Sequence, residues 1–196
     1  MAGFQIPMNA LDRLVVRLVY VQRVPLAGWV VRLLLRWRGT DIDPATVTGT
    51  GLRLRHGGTG IVVHPGARLG DGVTLFHNVT IGRARIWEPP PPGPAGAVQV
   101  GDGAVLCAGA VVLFGDDGMT IGAGTVIAAN AVLTSSTGPG EIWAGAPARK
   151  IADRASLPAR GGPPRCFPDE RRRRDEGAPK ERGGKAARLQ RPAASG

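Results

Sequence analysis

From Ile42 onward a branched aliphatic, or a residue of similar size, recurs every six positions. The series runs Ile42, Thr48, Leu54; then Val63, Leu69, Leu75, Ile81; then Val100, Leu106, Val112; and last Ile121, Ile127, Leu133. A small residue often follows, and Leu69-Gly-Asp-Gly72, Val100-Gly-Asp-Gly103 and Ile121-Gly-Ala-Gly124 all keep this phase. A fixed short period is the signature of a solenoid. Each unit reads as a short strand and a turn. Three units make one triangular coil, and the coils stack in parallel with each aliphatic resting on its counterpart one coil away. Composition fits this reading. The chain has 30 Gly and 17 Pro, with 43% hydrophobic but only 5% aromatic residues. A prism filled by stacked branched side chains has no room for large rings, and Gly supplies turns with positive φ.

The period slips three times. Leu54 to Val63 is nine residues, and Val112 to Ile121 is again nine, with Asp116–Gly118 as the insertion. Ile81 to Val100 is nineteen, one more than three units, and contains Glu88-Pro-Pro-Pro-Pro-Gly93. Consecutive prolines cannot donate to a sheet ladder, so this run reads as a loop leaving the coil. Insertions in solenoids map to loops, often on the binding face.

The ends differ from the middle. Residues 8–38 read as two short helices. Leu11, Val15, Leu18 and Val19 recur at helical spacing with Arg13 and Arg17 between them, Pro25 interrupts, and the pattern resumes over Leu26–Trp37. Such a basic amphipathic stretch is a helical cap packed on the main domain or, alternatively, a membrane-surface element. After Leu157 only Gly, Pro, Arg and Glu-rich sequence remains, including Arg171–Arg174, and disorder is expected. The expected organisation is a cap over 1–40, a β-helix over 41–152 and a basic tail over 153–196. The net charge of +10 follows this division. Residues 1–40 contribute six Arg and one Asp, and 160–196 contribute eleven Lys/Arg and five Asp/Glu, which leaves the middle at −1. The basicity therefore says little about what the folded core binds. Without aromatic platforms or a recognised motif, no nucleic-acid partner is expected. Two cysteines, Cys107 and Cys166, form neither a CxxC nor a disulfide framework. There is no uncharged apolar run of about eighteen residues, and the first residues lack a basic stretch followed by an apolar core and a cleavage site. These features point to the cytoplasm.

Several segments carry a family resemblance: Asp41-Ile-Asp-Pro-Ala45 through Leu54-Arg-His56, Thr59-Gly-Ile-Val-Val63, Val79-Thr-Ile-Gly82, Ile121-Gly-Ala-Gly124 and Ala144-Gly-Ala-Pro-Ala-Arg149. Together they resemble serine acetyltransferase over roughly residues 10–152. The resemblance implies a left-handed parallel β-helix of the hexapeptide-repeat acyltransferase family, assembled as a homotrimer, with acetyl-CoA as co-substrate and no metal. It implies that His56 deprotonates the acceptor hydroxyl, a role that suits an imidazole titrating near neutral pH. Asp41, fifteen residues earlier, matches the family carboxylate that orients this base. Matching positions for acetyl-CoA are Gly82, Ala108 and Ala123, with Arg149 and Lys150 placed to meet nucleotide phosphates.

Two departures from the family stand out. The family Asp directly before the catalytic His, which helps hold the amino group of serine, is Arg55 here. A second family His falls at Ala97. Arg55 and His77 are candidate substrate-binding residues, whereas His64, before Pro65 in a turn, reads as structural. The zinc carbonic anhydrases that share this fold use an HxxxxH pair and a third His, and the spacings of eight and thirteen here do not match. The implied activity is acetyl transfer to a hydroxyl, with serine as the family acceptor. The alternatives are a sugar, exopolysaccharide or natural-product hydroxyl, or an inactive trimeric scaffold. Serine acetyltransferases dock cysteine synthase through a C-terminal Ile. This chain ends Ala194-Ser-Gly196, so no such complex is expected.

Overall fold

The computed structural model describes residues 8–24, 28–89 and 98–156. The expectations about Ala97, Cys166, most of the proline run and the tail beyond 156 lie outside them.

The hexads become three flat faces. The first face stacks Asp41–Ile42, Val62–Val63, Thr80–Arg83, Val111–Phe114 and Val132–Leu133. The second stacks Val47–Thr48, Arg68–Leu69, Val98–Val100 and Met119–Ile121. The third stacks Arg53–Leu54, Thr74–Leu75, Val105–Leu106, Val126–Ile127 and Glu141–Gly145, and ends in Ala148–Asp153. Among the described residues the strands of the three faces pair in parallel until the last step, where Ala148–Asp153 folds back antiparallel on Glu141–Gly145.

Register explains why the period is six. On the first face Ile42, Val63, Ile81, Val112 and Leu133 lie opposite one another in turn. On the second, Thr48, Leu69, Val100 and Ile121 do so. On the third, Leu54, Leu75, Leu106 and Ile127 continue to Trp143. Each hexad residue thus points inward and rests on the same residue of the next coil. Leu54, Leu75, Leu106, Ile121, Ile127 and Leu133 are fully buried. Burying such a side chain contributes about 1.5–3 kcal/mol. The fold is therefore a sum of repeated nearest-neighbour contacts.

The undisturbed coil is 18 residues, as Val63 opposite Ile81 shows. Ile42 to Val63 and Val112 to Leu133 each span 21, and Ile81 to Val112 spans 31. The long slip is thus assigned differently from the sequence reading. Val100 occupies the very next face after Ile81, so the slip is one unit plus an excursion of thirteen residues, not three units plus one. Arithmetic on the period alone does not separate these two cases. A large ring also enters the core: Phe114, beyond the hexad position on its strand, is 1% exposed and meets the His64 ring edge-on at 5.1 Å.

Two helices close the first coil, α1 (Ala10–Val21) and α2 (Gly28–Trp37). Asn9 caps α1 by accepting the Asp12 amide at 2.7 Å. Val15, Val19, Val31 and Leu35 join the β-helix core. Tyr20 donates to the Gly49 carbonyl (2.6 Å) and Gln22 to that of Ile42 (2.8 Å). The pair is a cap on the prism. On its outer side α2 leaves Trp29, Leu33 and Trp37 exposed, at 70%, 62% and 84%.

Candidate functional site

Each coil turns from the third face to the first at one corner. In the second, third and fourth coils the corner is Phe76-His77-Asn78, Cys107-Ala108-Gly109 and Ala128-Ala129-Asn130, and Val79, Ala110 or Ala131 then returns to the core. In the first coil it is Arg55-His-Gly-Gly-Thr-Gly60, ahead of buried Ile61. The first period slip is therefore a three-residue insertion at this corner.

The longer corner forms a single 3₁₀ turn, His56–Gly58. His56, Gly57 and Gly58 all hold positive φ, at 55°, 67° and 69°. Space is also tight at the last two. A Cβ on Gly57 would come within 3.1 Å of Leu11 and Arg38, and one on Gly58 within 3.2 Å of Thr40 and 3.4 Å of Val15. The turn is thus pressed against the helical cap. His56 takes the same left-handed backbone as Asn78 and Asn130 at the equivalent corners, and its side chain is exposed. For a residue other than Gly this conformation costs about 1–2 kcal/mol.

The His77 ring, one coil along, meets His56 edge-on at 4.8 Å and 89°, and the Phe76 ring lies 6.1 Å from His56. His77 Nδ1 is buried and has no hydrogen-bond partner among the described residues. Below the turn is Asp12 of α1, 1% exposed, a residue that the sequence reading passed over. Its Oδ1 accepts the Gly57 amide at 2.8 Å, and its Oδ2 lies 3.7 Å from the Arg55 guanidinium. The Arg55 side chain is 13% exposed, so it points into the cap rather than into solvent. No spacing rule links positions 12 and 57. The available signal was a lone acid in an otherwise basic amphipathic stripe.

Asp41 opens the first strand of the first face. Its carboxylate meets Arg36 at 3.2 Å, and it makes no hydrogen bond to His56 among the described residues. His64 is a turn residue, as its sequence context suggests. Its Nδ1 accepts the Gly66 amide at 3.0 Å. Burial first, and the Arg83 charge second, hold its pKa below the ordinary histidine value, against the opposing pull of Asp43.

The residues matched to acetyl-CoA are spread out. Ala108 stands in the corner column next to His77, two residues past the Leu75–Leu106 pair. Gly82 lies on the first face, and a Cβ there would meet nothing within 4 Å. Ala123 lines a shallow groove with Arg68, Gln99 and Thr120. Arg149 and Lys150 are exposed on the final antiparallel strand. The Lys150 ammonium bonds Asp153 (2.8 Å) and Glu141 (3.0 Å), and these bonds raise its pKa. A hydrogen bond from the Trp143 indole, and then the one from Lys150, lower that of Glu141. Among the described residues no group of three or more His, Cys, Asp or Glu could hold a metal ion.

No family model matches the chain. It is 35% identical over 128 residues to the serine acetyltransferase of Mycobacterium tuberculosis, covering 64% of this chain and 50% of that one. It is 34% identical over 114 residues to that of Helicobacter pylori, covering 58% of this chain and 61% of the other. In structure it is similar to Neisseria gonorrhoeae serine acetyltransferase, with a TM-score of 0.62 and 26% identity over 76% of this chain and 57% of that one. The soybean enzyme in complex with serine gives 0.60 and 26%, over 73% and 58%. The chain spans half or less of the length of several curated relatives that it matches, 50%, 38% and 32% in three of them. The architecture is the left-handed parallel β-helix of hexapeptide repeats, and the chain is serine acetyltransferase-like in sequence and in fold.

Proposed function

We propose that this chain is an acetyl-CoA-dependent O-acetyltransferase whose base is His56. One observation carries the reading. The coil stack is regular at three of four equivalent corners, and the fourth is enlarged by residues that lift an exposed imidazole onto a left-handed turn. The resemblance to serine acetyltransferases on both sequence and fold supports the same assignment.

In the proposed reaction neutral His56 takes the proton of the acceptor hydroxyl as its oxygen adds to the thioester carbonyl carbon. Backbone N–H groups at the corner are the simplest donors to the tetrahedral oxyanion. When the intermediate collapses, the C–S bond breaks, the His56 proton passes to the leaving thiolate, and the acetyl ester remains on the acceptor. Asp41 is proposed to orient the imidazole. To do so it would exchange Arg36 for His56, and the exposed pair with Arg36 is a weak restraint. His77, edge-on to the base, is proposed to contact the acceptor. Small residues fit a pantetheine arm running along the wall: Ala108 adjoins His77, and the open space at Gly82 exposes backbone. Ala123, Arg149 and Lys150 lie at other positions of a single prism. The reading therefore includes a homotrimer in which a neighbouring copy completes the acetyl-CoA site. The exposed row Trp29, Leu33 and Trp37 supports assembly, because apolar side chains this exposed call for cover.

Serine is the first acceptor to test. An Arg beside the base would repel the ammonium of serine if it faced the acceptor. The guanidinium instead faces buried Asp12, so the charge beside His56 is balanced. A sugar or natural-product hydroxyl remains the second reading, because the carboxylate that serine acetyltransferases place before the base is absent here. The test is acceptor-dependent thiol release from acetyl-CoA across serine, homoserine and simple sugars. Serine turnover with kcat/KM at or above about 10⁴ M⁻¹s⁻¹ would establish the first reading. Release with sugars alone would establish the second, and no release with any acceptor would leave the scaffold.

A further inference from the structure

We infer that Asp12, on the cap helix, is a positioning residue that sets the turn carrying the candidate base. The inference rests on the acetyl-transfer reading for its kinetic consequence, but not for its structural one. Asp12 reaches both neighbours of His56. Its Oδ1 accepts the amide of Gly57, the residue after the imidazole, at 2.8 Å. Its Oδ2 lies 3.7 Å from the guanidinium of Arg55, the residue before it. The carboxylate is 1% exposed and its Arg55 partner 13%.

The turn needs such a clamp. A run of positive-φ residues is a conformation the chain does not hold unaided, and Gly57 and Gly58 supply freedom without direction. At the corners of the later coils the last amide is fixed by the preceding coil, Asn78 to the Thr59 carbonyl, Gly109 to that of His77 and Asn130 to that of Ala108, whereas Gly57 lies in the insertion and has no counterpart at those corners. The Gly57 amide instead points toward the cap, where Asp12 receives it. A buried carboxylate is costly without a hydrogen bond and a counter-charge, and the turn supplies both. The helical cap is thereby part of the site. It fixes the direction in which His56 leaves the prism, and a misplacement of about 1 Å at a reacting group costs on the order of 10²-fold in rate.

The experiment compares Asp12→Asn with Asp12→Ala in the full chain, reading the exchange rate of the Gly57 amide hydrogen by NMR together with kcat and KM. Asn keeps an oxygen at Oδ1. Its Gly57 amide should stay protected, with kcat within about threefold of the parent. Ala removes the acceptor. Gly57 exchange should rise at least about tenfold, and kcat should fall about 10- to 100-fold while KM for acetyl-CoA stays put. If the Ala chain does not fold, Asp12→Ser, whose hydroxyl is too short to reach the amide, takes its place with the same expectations. A Gly57 amide as protected in the Ala or Ser chain as in the parent overturns the inference, and so does an unchanged kcat. If the parent itself releases no thiol from acetyl-CoA, the acetyl-transfer reading falls, and amide exchange alone decides whether Asp12 sets the turn.

Discussion

The first-coil corner and the second-coil corner occupy the same place in the same stack and do different things. Both follow a fully buried Leu, Leu54 in one and Leu75 in the other, paired face to face. Both begin with an amide bonded to the next coil, Arg55 to Leu75 and Phe76 to Leu106. Both contain a His and a left-handed residue. At the second-coil corner the left-handed residue is Asn78, and the His precedes it, half-buried against the wall. At the first the counterpart of Asn78 is Gly60, and ahead of it the exposed His56 is itself left-handed, together with Gly57 and Gly58, on a turn that three extra residues push out against α1. Repetition fixes the platform, and the departure from repetition sets out the imidazole proposed as the base.

The comparison is most directly broken at the two histidines. His56→Ala should lower kcat by about two to four orders of magnitude, the ordinary worth of a general base, with KM for acetyl-CoA little changed. His77→Ala should lose far less, and steady-state thiol release decides between them. Equal losses would mean that the two rings share the proton, and an unaffected His56→Ala would move the base to His77. The next effect is on stability. Leu75→Ala opens a void between Leu54 and Leu106 and should cost about 2–5 kcal/mol in chemical denaturation. That loss exceeds anything expected from a corner residue. Asn78→Ala is smaller, about 1 kcal/mol, because Asn tolerates the left-handed backbone better than Ala does. Asn78→Gly should recover it.

The smallest effect is the pH dependence at His64. Its pKa is lowered in the folded chain, so the folded state favours the neutral ring, the form whose Nδ1 can accept the Gly66 amide. That contribution is complete above the unfolded value of about 6.5 and is lost as pH falls through the lowered folded value. Melting temperatures between pH 7 and pH 5 should therefore fall less in His64→Asn, which accepts a hydrogen bond without titrating, than in the parent.

The prism was legible because its rule is local and repeated. Ile42 through Leu133 each announce an inward position, and all of them fall in the expected columns. The cap was legible as two helices because Val15, Val19, Val31 and Leu35 keep a helical stripe. The excursion after Ile81 was misjudged in length, because nineteen residues are equally one unit plus thirteen or three units plus one. At the candidate site, motif and spacing single out His56, and the structure puts it on the enlarged corner. Its neighbours were not legible. Arg55 carries no sign in the sequence of whether it faces solvent or Asp12, and the Asp12–Gly57 bond joins parts of the chain 45 residues apart. Pairings of that kind depend on how a helix docks, and no short period records the docking.

The antiparallel return of Ala148–Asp153 bears on a hazard of stacked parallel coils, namely that each end resembles the next layer. A third face that ended in Glu141–Gly145 would present a bare row of amides and carbonyls in the geometry that accepts another strand. The returning strand uses up that row, and it places Arg149, Lys150 and Asp153 along the rim. A second molecule arriving there meets a strand of opposite direction with charged side chains, not a continuation of the ladder. The hairpin therefore closes the third face to a parallel continuation of the ladder and leaves a charged edge in its place.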